Sequence, residues 1–376
     1  MPLPSPSTGV LMAPFGDQAV LYDPVAGQVH VLNPTARVVW EGCDLGFELD
    51  EVVELLATAS GTDPVEVAAG VDGYLLDLAD ARLVGSDEWR PLVDPPAPVV
   101  GGDRSSSVFA VLDDGVVFRS EDAAICAAID GALGPLAGSV PVSVEIGVLV
   151  EPDGAVTVVG PTAELGWASV GQFLEELPTT LNQIAAASTT VLALHSGAVV
   201  SPSGAVVLLP AVSGSGKTTL TAALVQAGWG YLTDEAAGVR QGSLQPVSYA
   251  KPLVLDPASA AALGLSGRSS VNVAVDELRA GATVAAEAVG PVTAVVLPRY
   301  EAGAEVELTP LEGVDAFPAL AEHALNLRHV GRPGFEALVD LARRVPCHRL
   351  LHGGGASAVE AVAALTERPD GPSPKG

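Results

Sequence analysis

Apolar and polar positions change period several times along the chain, and each change marks an element. Ala19-Val20-Leu21-Tyr22 and Gln28-Val29-His30-Val31-Leu32 read as two short strands around the turn Asp23-Pro24-Val25-Ala26-Gly27. Helical spacing follows. Pro34–Cys43 begins behind Asn33, a residue suited to the N-cap, with proline at the first helical position. Leu49–Ala59 repeats apolar residues at Val52, Val53, Leu55 and Leu56. Asp63-Pro64 opens a third helix, with Val67, Val71, Tyr74, Leu75 and Leu78 on one face. A short strand at Arg82–Val84 closes the unit. The order ββααα-β predicts a small winged-helix-like domain over residues 1–90.

Pro91 to Pro98 carries four prolines and is followed by Gly101-Gly102, so residues 91–104 read as a semi-rigid linker. Residues 105–367 read as one larger α/β unit. Its strand-like runs are Val108–Leu112, Ser143–Val150, Val156–Val159, Ala198–Val200, Ala205–Leu209 and Val292–Leu297. Its helices are expected at Ala123–Leu133, Val170–Ala187, Thr218–Ala227, Phe317–Leu325 and Gly334–Arg343. Residues 368–376 are rich in Pro, Gly and Ser and read as a disordered tail. The fold class expected is α/β and multidomain.

Composition narrows the partners. The chain has 376 residues, 48% of them hydrophobic and only 4% aromatic, so its core is built mainly of Val, Leu and Ala. Acids outnumber bases 45 to 18, a net charge of −27 that weighs against nucleic acid as a partner. Cys43, Cys126 and Cys347 are far apart and odd in number, which fits a reducing cytoplasm better than a disulfide framework. Met1-Pro2-Leu3-Pro4-Ser5-Pro6 has neither the basic nor the apolar part of a signal peptide. The apolar stretch Val191–Leu209 is broken by His195 and Pro202, so no membrane span is expected there.

The main chemical signal is Ala211-Val212-Ser213-Gly214-Ser215-Gly216-Lys217-Thr218-Thr219, between an apolar run and a helical one. It fits the phosphate-binding pattern G-x-x-x-x-G-K-[ST] except that Ala211 replaces the first glycine. In such a loop the backbone N–H groups from Ser213 to Thr219 cradle phosphate, Lys217 reaches the outer phosphates, and the Thr218 hydroxyl faces Mg²⁺. The helix that follows points its positive end at the same anion. The chain has only three lysines, and one occupies the position where the motif needs an ammonium.

Asp234-Glu235 follows Lys217 by only 17 residues, room for one helix and one short strand. The carboxylates then fall at the end of the next strand, on the sheet edge that carries the loop. They either share proton removal and Mg²⁺ binding or simply cap the next turn. His195 precedes the loop by a hairpin turning at Ser201-Pro202-Ser203-Gly204. It either returns to the site, where it tunes a proton, or is structural. Lys251 either contacts phosphate or caps a turn. Arg328 and Arg332 either stabilise transferring phosphoryl charge or lie on the surface. Arg268-Ser269-Ser270 is a candidate loop over the site on composition alone.

His195-Ser196-Gly197, the hairpin, Ser213 to Leu220, the helix ending in Ala227-Gly228-Trp229-Gly230, and Thr233-Asp234-Glu235 together resemble the HPr kinase/phosphorylase-like fold, a relative of the nucleotide domain of phosphoenolpyruvate carboxykinases. The similarity covers roughly residues 190–255 and, more loosely, the rest of the C-terminal unit. It implies ATP and Mg²⁺ as cofactors, Asp234 as general base with His195 beside it, Lys217 on phosphate, and Thr218 with Glu235 on the metal. Glu235 stands where the family commonly has aspartate, and the family's second, phosphorolysis-linked signature is absent. Proteins of this kind often assemble, so a homo-oligomer is one expectation.

Gly27 to Ala36, followed by Val39-Trp40-Glu41, resembles the PqqD family of precursor-peptide recognition elements in ribosomal peptide biosynthesis. The similarity covers about residues 12–86. It implies that a leader peptide adds as a strand beside Gln28–Leu32 and the helix over Val65–Leu78. The first 97 residues carry 16 acids and three arginines, which disfavours the DNA-binding use of a winged helix. Together the two resemblances imply an ATP-dependent kinase acting on a Ser or Thr hydroxyl of a precursor peptide. The alternative is a nucleotide-binding peptide chaperone or adaptor that presents the precursor to a partner enzyme and transfers nothing.

Overall fold

The computed structural model describes residues 1–85, 102–160, 164–188, 190–265, 271–282 and 289–367. Pro91–Pro98, Arg268-Ser269-Ser270 and the tail lie outside the described residues. The chain is α/β and divides into two compact units, Met1–Val93 with Glu312–Ala321, and Asp94–Leu311 with Glu322–Gly376.

The first unit opens with three antiparallel strands, β1 (Leu11–Phe15), β2 (Gln18–Asp23) and β3 (Gln28–Leu32), in the order β1-β2-β3. Three helices follow, α1 (Pro34–Leu45), α2 (Leu49–Ser60) and α3 (Pro64–Asp80). The Asn33 side chain accepts the Ala36 N–H at 2.9 Å, and Gly46 ends α1 in the left-handed conformation at φ 72°. Asp63 caps α3 by accepting the Val65 N–H at 2.8 Å. Ala19, Leu21 and Leu32 pack with Trp40, Val52 and Val71 into one core. The expected strand at Arg82–Val84 is absent. Val84 makes only an isolated bridge to Pro6. The phase of β2 also misleads, because Val20 and Tyr22, on its second face, are buried as fully as Ala19 and Leu21. A helix from late in the chain, Gly313–Ala321, contacts β2 and β3 and sets Phe317 edge-on to Phe15 at 6.3 Å. The pattern placed this helix at Phe317–Leu325, inside the C-terminal domain.

The second unit begins with β4 (Arg104–Ser105), β5 (Phe109–Val111), β6 (Asp114–Ser120), α4 (Ala123–Leu133), β7 (Val142–Val150), β8 (Val156–Val159), β9 (Glu164–Trp167) and α5 (Val170–Ala187). These strands form a six-stranded sheet whose core includes Phe118, Ile129, Ile146, Phe173 and Leu177. The chain continues through β10 (Leu192–Val200), β11 (Val206–Pro210), α6 (Lys217–Gln226), β12 (Gly230–Thr233), β13 (Ala236–Val239) and β14 (Pro246–Val247). Then come β15 (Leu253–Leu255), α7 (Pro257–Ala262), β16 (Val271–Val273), α8 (Val275–Leu278), β17 (Val292–Tyr300) and β18 (Glu307–Leu311). After α9, the Gly313–Ala321 helix of the first unit, follow α10 (Leu327–Val330), α11 (Arg332–Arg344), β19 (Cys347–His352) and α12 (Ala356–Thr366).

An eight-stranded sheet in the order β14-β13-β10-β11-β17-β19-β18, with β12 paired to β10, carries the site. β11, β17 and β19 are parallel, so the loops after all three open at one edge. β10 is antiparallel to both β11 and β12, which makes β12 parallel to β11. The segment after β12 therefore reaches the same edge. Val206 to Leu209 are fully buried, as central parallel strands require. Leu220 and Leu224 of α6 and Ala358 and Val362 of α12 pack on one core with Leu209, Val296 and Leu350.

Candidate functional site

The β10–β11 hairpin pairs Ser196 with Pro210 and so brings His195 back to the start of the loop. The Ala211 N–H donates to the His195 carbonyl at 3.2 Å. Ala211 is buried and is not among the positive-φ residues, so the conformational freedom of a first glycine is not needed at this point. Gly214 and Gly216 do need it, at φ 82° and 85°. A Cβ on Gly216 would lie 2.9 Å from Tyr300 Cβ. The loop is tied to the end of β17 by the Tyr300 N–H, which donates to the Ser215 carbonyl at 2.9 Å. The Ser215 hydroxyl donates to the Val212 carbonyl at 2.7 Å.

The loop lines a cavity of about 1450 Å³ together with His195, Asp234, Glu235, Tyr300 and His352. Ser213, Gly214, Gly216, Lys217, Thr218 and Thr219 face it. Ser215 is not part of the lining. The structure thus brings together on one cavity every expected site residue except Ser215. Lys217 is buried and its ammonium donates to the Asp234 carbonyl. Burial holds the Lys217 ammonium below its ordinary pKa, with the nearby Lys251 adding to the effect and Asp234 and Glu235 opposing it.

The two carboxylates differ in setting. Asp234 is 2% exposed, and its Oδ1 lies 3.0 Å from the Tyr231 hydroxyl and 3.5 Å from Lys251 Nζ. The Glu235 side chain is 31% exposed, with Oε2 at 3.5 Å from Lys251 Nζ and Oε1 at 3.6 Å from His195 Nε2. Burial, then the Lys217 charge, pushes the His195 pKa down against the pull of Glu235, so the imidazole is neutral at pH 7 and able to take a proton. The His195 backbone N–H donates to the His323 backbone carbonyl at 2.7 Å. The Tyr231 phenol, buried beside Asp234, is pushed well above its ordinary pKa by burial and then by that carboxylate.

Lys251 is not part of the cavity lining. It sits behind the acid pair, buried, and neutralises both carboxylates. Arg328 and Arg332 do not line the cavity; Arg328 is exposed, and Arg332 lies 4.0 Å from Glu336 on the surface of α11. Sequence reasoning missed Tyr300 and the turn His352-Gly353-Gly354-Gly355, which also line the cavity. Three consecutive glycines ahead of a helical run were the available signal.

The residues present fit Mg²⁺. Thr218 and Glu235 both face the cavity, and among the described residues no cluster of three or more His, Cys, Asp or Glu forms an all-protein metal cage. Magnesium usually takes only one or two carboxylates and fills the rest of its shell with water and substrate phosphate.

The first unit offers a different kind of surface. β3 pairs only with β2, so its other edge has no strand partner among the described residues. Val31 on β3, and Val65 and Leu76 on α3, are 48%, 79% and 68% exposed. Among the described residues no helix is long and apolar enough to cross a membrane.

Comparison with known proteins bears on this first unit. The family described as Coenzyme PQQ synthesis protein D (PqqD) matches residues 18–84. No curated protein matches the chain. A solved structure, "TbiB1 in Complex with the TbiA(beta) Leader Peptide", is similar at 21% identity and a TM-score of 0.21, over 23% of this chain and 99% of that one. Residues 18–84, which hold β2, β3 and helices α1 to α3, are thus the part of the chain that is similar to PqqD.

Proposed function

We propose that this chain is an ATP-dependent kinase that phosphorylates a Ser or Thr hydroxyl of a ribosomally made precursor peptide, with the leader held by the first unit. The observation that carries the reading is the meeting, in one cavity, of a phosphate-type loop, an acid pair and a histidine. The loop's backbone N–H groups and Lys217 hold the polyphosphate of ATP. Thr218 and Glu235 would hold Mg²⁺, which neutralises charge on the phosphates when bound. Asp234, fixed by Tyr231 and Lys251, accepts the proton of the attacking hydroxyl while the bond between the γ-phosphorus and ADP breaks. His195, beside Glu235, relays that proton onward from Asp234.

The open edge of β3 and the exposed apolar residues of α3 support leader binding by strand addition, as the PqqD match suggests. Tethering the leader raises the local concentration of the acceptor hydroxyl, so the cavity needs little affinity for it. The three buried free cysteines fit a cytoplasmic setting.

A second reading has an observation of its own. Asp234 is 2% exposed and Lys217 is turned to its carbonyl, which suits a nucleotide-binding adaptor that performs no transfer. Incubation with ATP, Mg²⁺ and a precursor peptide separates the two by mass spectrometry. The kinase gives a peptide heavier by about 80 Da, one phosphate in place of a hydrogen, and loses the product in Asp234→Asn. An unmodified peptide that still binds refutes the kinase and leaves the adaptor.

A further inference from the structure

The wall of the cavity opposite the acid pair has its own chemistry. β19 ends at His352, and the chain turns through Gly353, Gly354 and Gly355 into α12, at the edge where the phosphate loop opens. Gly354 and Gly355 have φ of 89° and 77°, and a Cβ on Gly353 would lie 2.7 Å from the Ala304 carbonyl oxygen. No larger residue fits this turn without strain. The 11-residue α12 points its N-terminal N–H groups into the same space.

A helix N-terminus alone marks nothing, but His352 adds an independent feature. It is 3% exposed and lines the cavity. The Gly354 N–H donates to its Nδ1 at 3.2 Å, so the ring proton sits on Nε2. Nε2 is buried and has no hydrogen-bond partner among the described residues. A buried donor without an acceptor is costly unless a ligand brings one. No charged side chain lines this wall, whose other members are Tyr300, Ala358 and Val359. The sheet order sets it on the β17–β19 side of the loop and the acid pair on the β10–β12 side. The cavity has another wall across α6, from Val254 to Leu263. Among the described residues only the β19–α12 wall carries a buried donor left without an acceptor, which favours it for the uncharged end of a nucleotide whose terminal phosphate is at the acids.

We propose that the β19–α12 turn binds the nucleoside end of the nucleotide, with His352 Nε2–H donating to a ribose oxygen and the glycine turn and Val359 lying against the base. This rests on the nucleotide reading above and assigns a residue and a subsite to it.

The test is equilibrium binding of two ligands to the full chain with Mg²⁺, namely ATP and inorganic tripolyphosphate, which lacks the nucleoside. His352→Leu is expected to weaken ATP roughly tenfold, the scale of one buried hydrogen bond, and to leave tripolyphosphate unchanged. His352→Gln, which keeps an N–H donor, restores most of the ATP affinity. Val359→Trp, on the half-buried rim, gives the same selective loss and serves if the His352 variants fail to fold. Equal weakening of both ligands overturns the proposal, because His352 then only props the loop at Gly216, whose Cβ position is 3.5 Å from Nε2. Unchanged ATP affinity overturns it as well. If the wild-type chain binds neither ligand, the nucleotide reading itself falls and this subsite with it.

Discussion

Three histidines of the second unit, His195, His323 and His352, are held below their ordinary pKa chiefly by burial, and together they predict a pH-dependent stability. In the unfolded chain each titrates near about 6.5; in the folded chain each titrates lower. As pH falls below about 6.5 the unfolded state therefore binds protons that the folded state refuses, and stability is lost. The stabilising contribution is fully present above the unfolded value and declines as pH drops toward the folded ones. One histidine accounts for at most about 1.4 kcal/mol per pH unit within that window. His323 and His352, 8% and 3% exposed, should contribute most of the slope, whereas the His195 side chain, 26% exposed and facing Glu235, should contribute less. The three together cannot exceed about 4 kcal/mol per pH unit, the limit if each takes up a whole proton on unfolding. Urea unfolding followed by tryptophan fluorescence, Trp229 being buried beside α6, measures it between about pH 7.5 and 5.5. His323→Gln should make the slope measurably shallower. A flat profile for the wild type, or an unchanged slope in that variant, would refute the argument.

Ala211→Gly should leave ATP affinity within about twofold and lower stability by about 0.5–1 kcal/mol, since the native backbone there suits alanine; a large gain in ATP binding by calorimetry would show that the alanine distorts the loop. Phe317→Ala should cost about 3–5 kcal/mol in urea unfolding, because its ring is fully buried against Phe15 in the first unit. A cost under about 1 kcal/mol would mean that α9 is not part of that core. Lys251→Met should cost about 3–5 kcal/mol by leaving the buried Asp234 charge unpaired. A double-mutant cycle with Asp234→Asn should recover part of that loss, and strict additivity would sink the pairing.

The sequence is most legible where one local signal dominates. Gln28–Leu32, Val156–Val159, Ala123–Leu133 and Val170–Ala187 are elements with the bounds expected from period and capping. The loop, the hairpin return of His195 and the edge position of Asp234 and Glu235 follow from spacing, because so few residues separate them. What escaped depends on distant partners. The burial of both faces of β2 and the place of α9 beside it join residues some 300 apart, and no periodicity reports that. β19 and α12 were passed over because Cys347-His348-Arg349-Leu350-Leu351-His352 mixes polar and apolar residues. Its pattern makes sense only between β17 and β18, where Leu350 is buried and Arg349 is exposed. Lys251 was legible as a scarce cation but not as an ion-pair partner, since its role is set by the fold of β12 and the segment before β15.

That role also resolves a tension in the site. A net charge of −27 and two adjacent carboxylates would repel a polyphosphate, yet two of the chain's three lysines come to this place, Lys251 at 3.5 Å from both carboxylates and Lys217 on the Asp234 backbone carbonyl. Lys217 and Lys251 bring two positive charges to the two negative ones, so this cluster alone presents no net field against an anion. The lysines are not interchangeable. Lys251, away from the cavity, keeps its partners whether or not a ligand is bound. Lys217 lines the cavity and is held only by a backbone carbonyl, a neutral dipole that a phosphate oxygen outcompetes. One lysine therefore remains with the acids while the other is available to the ligand.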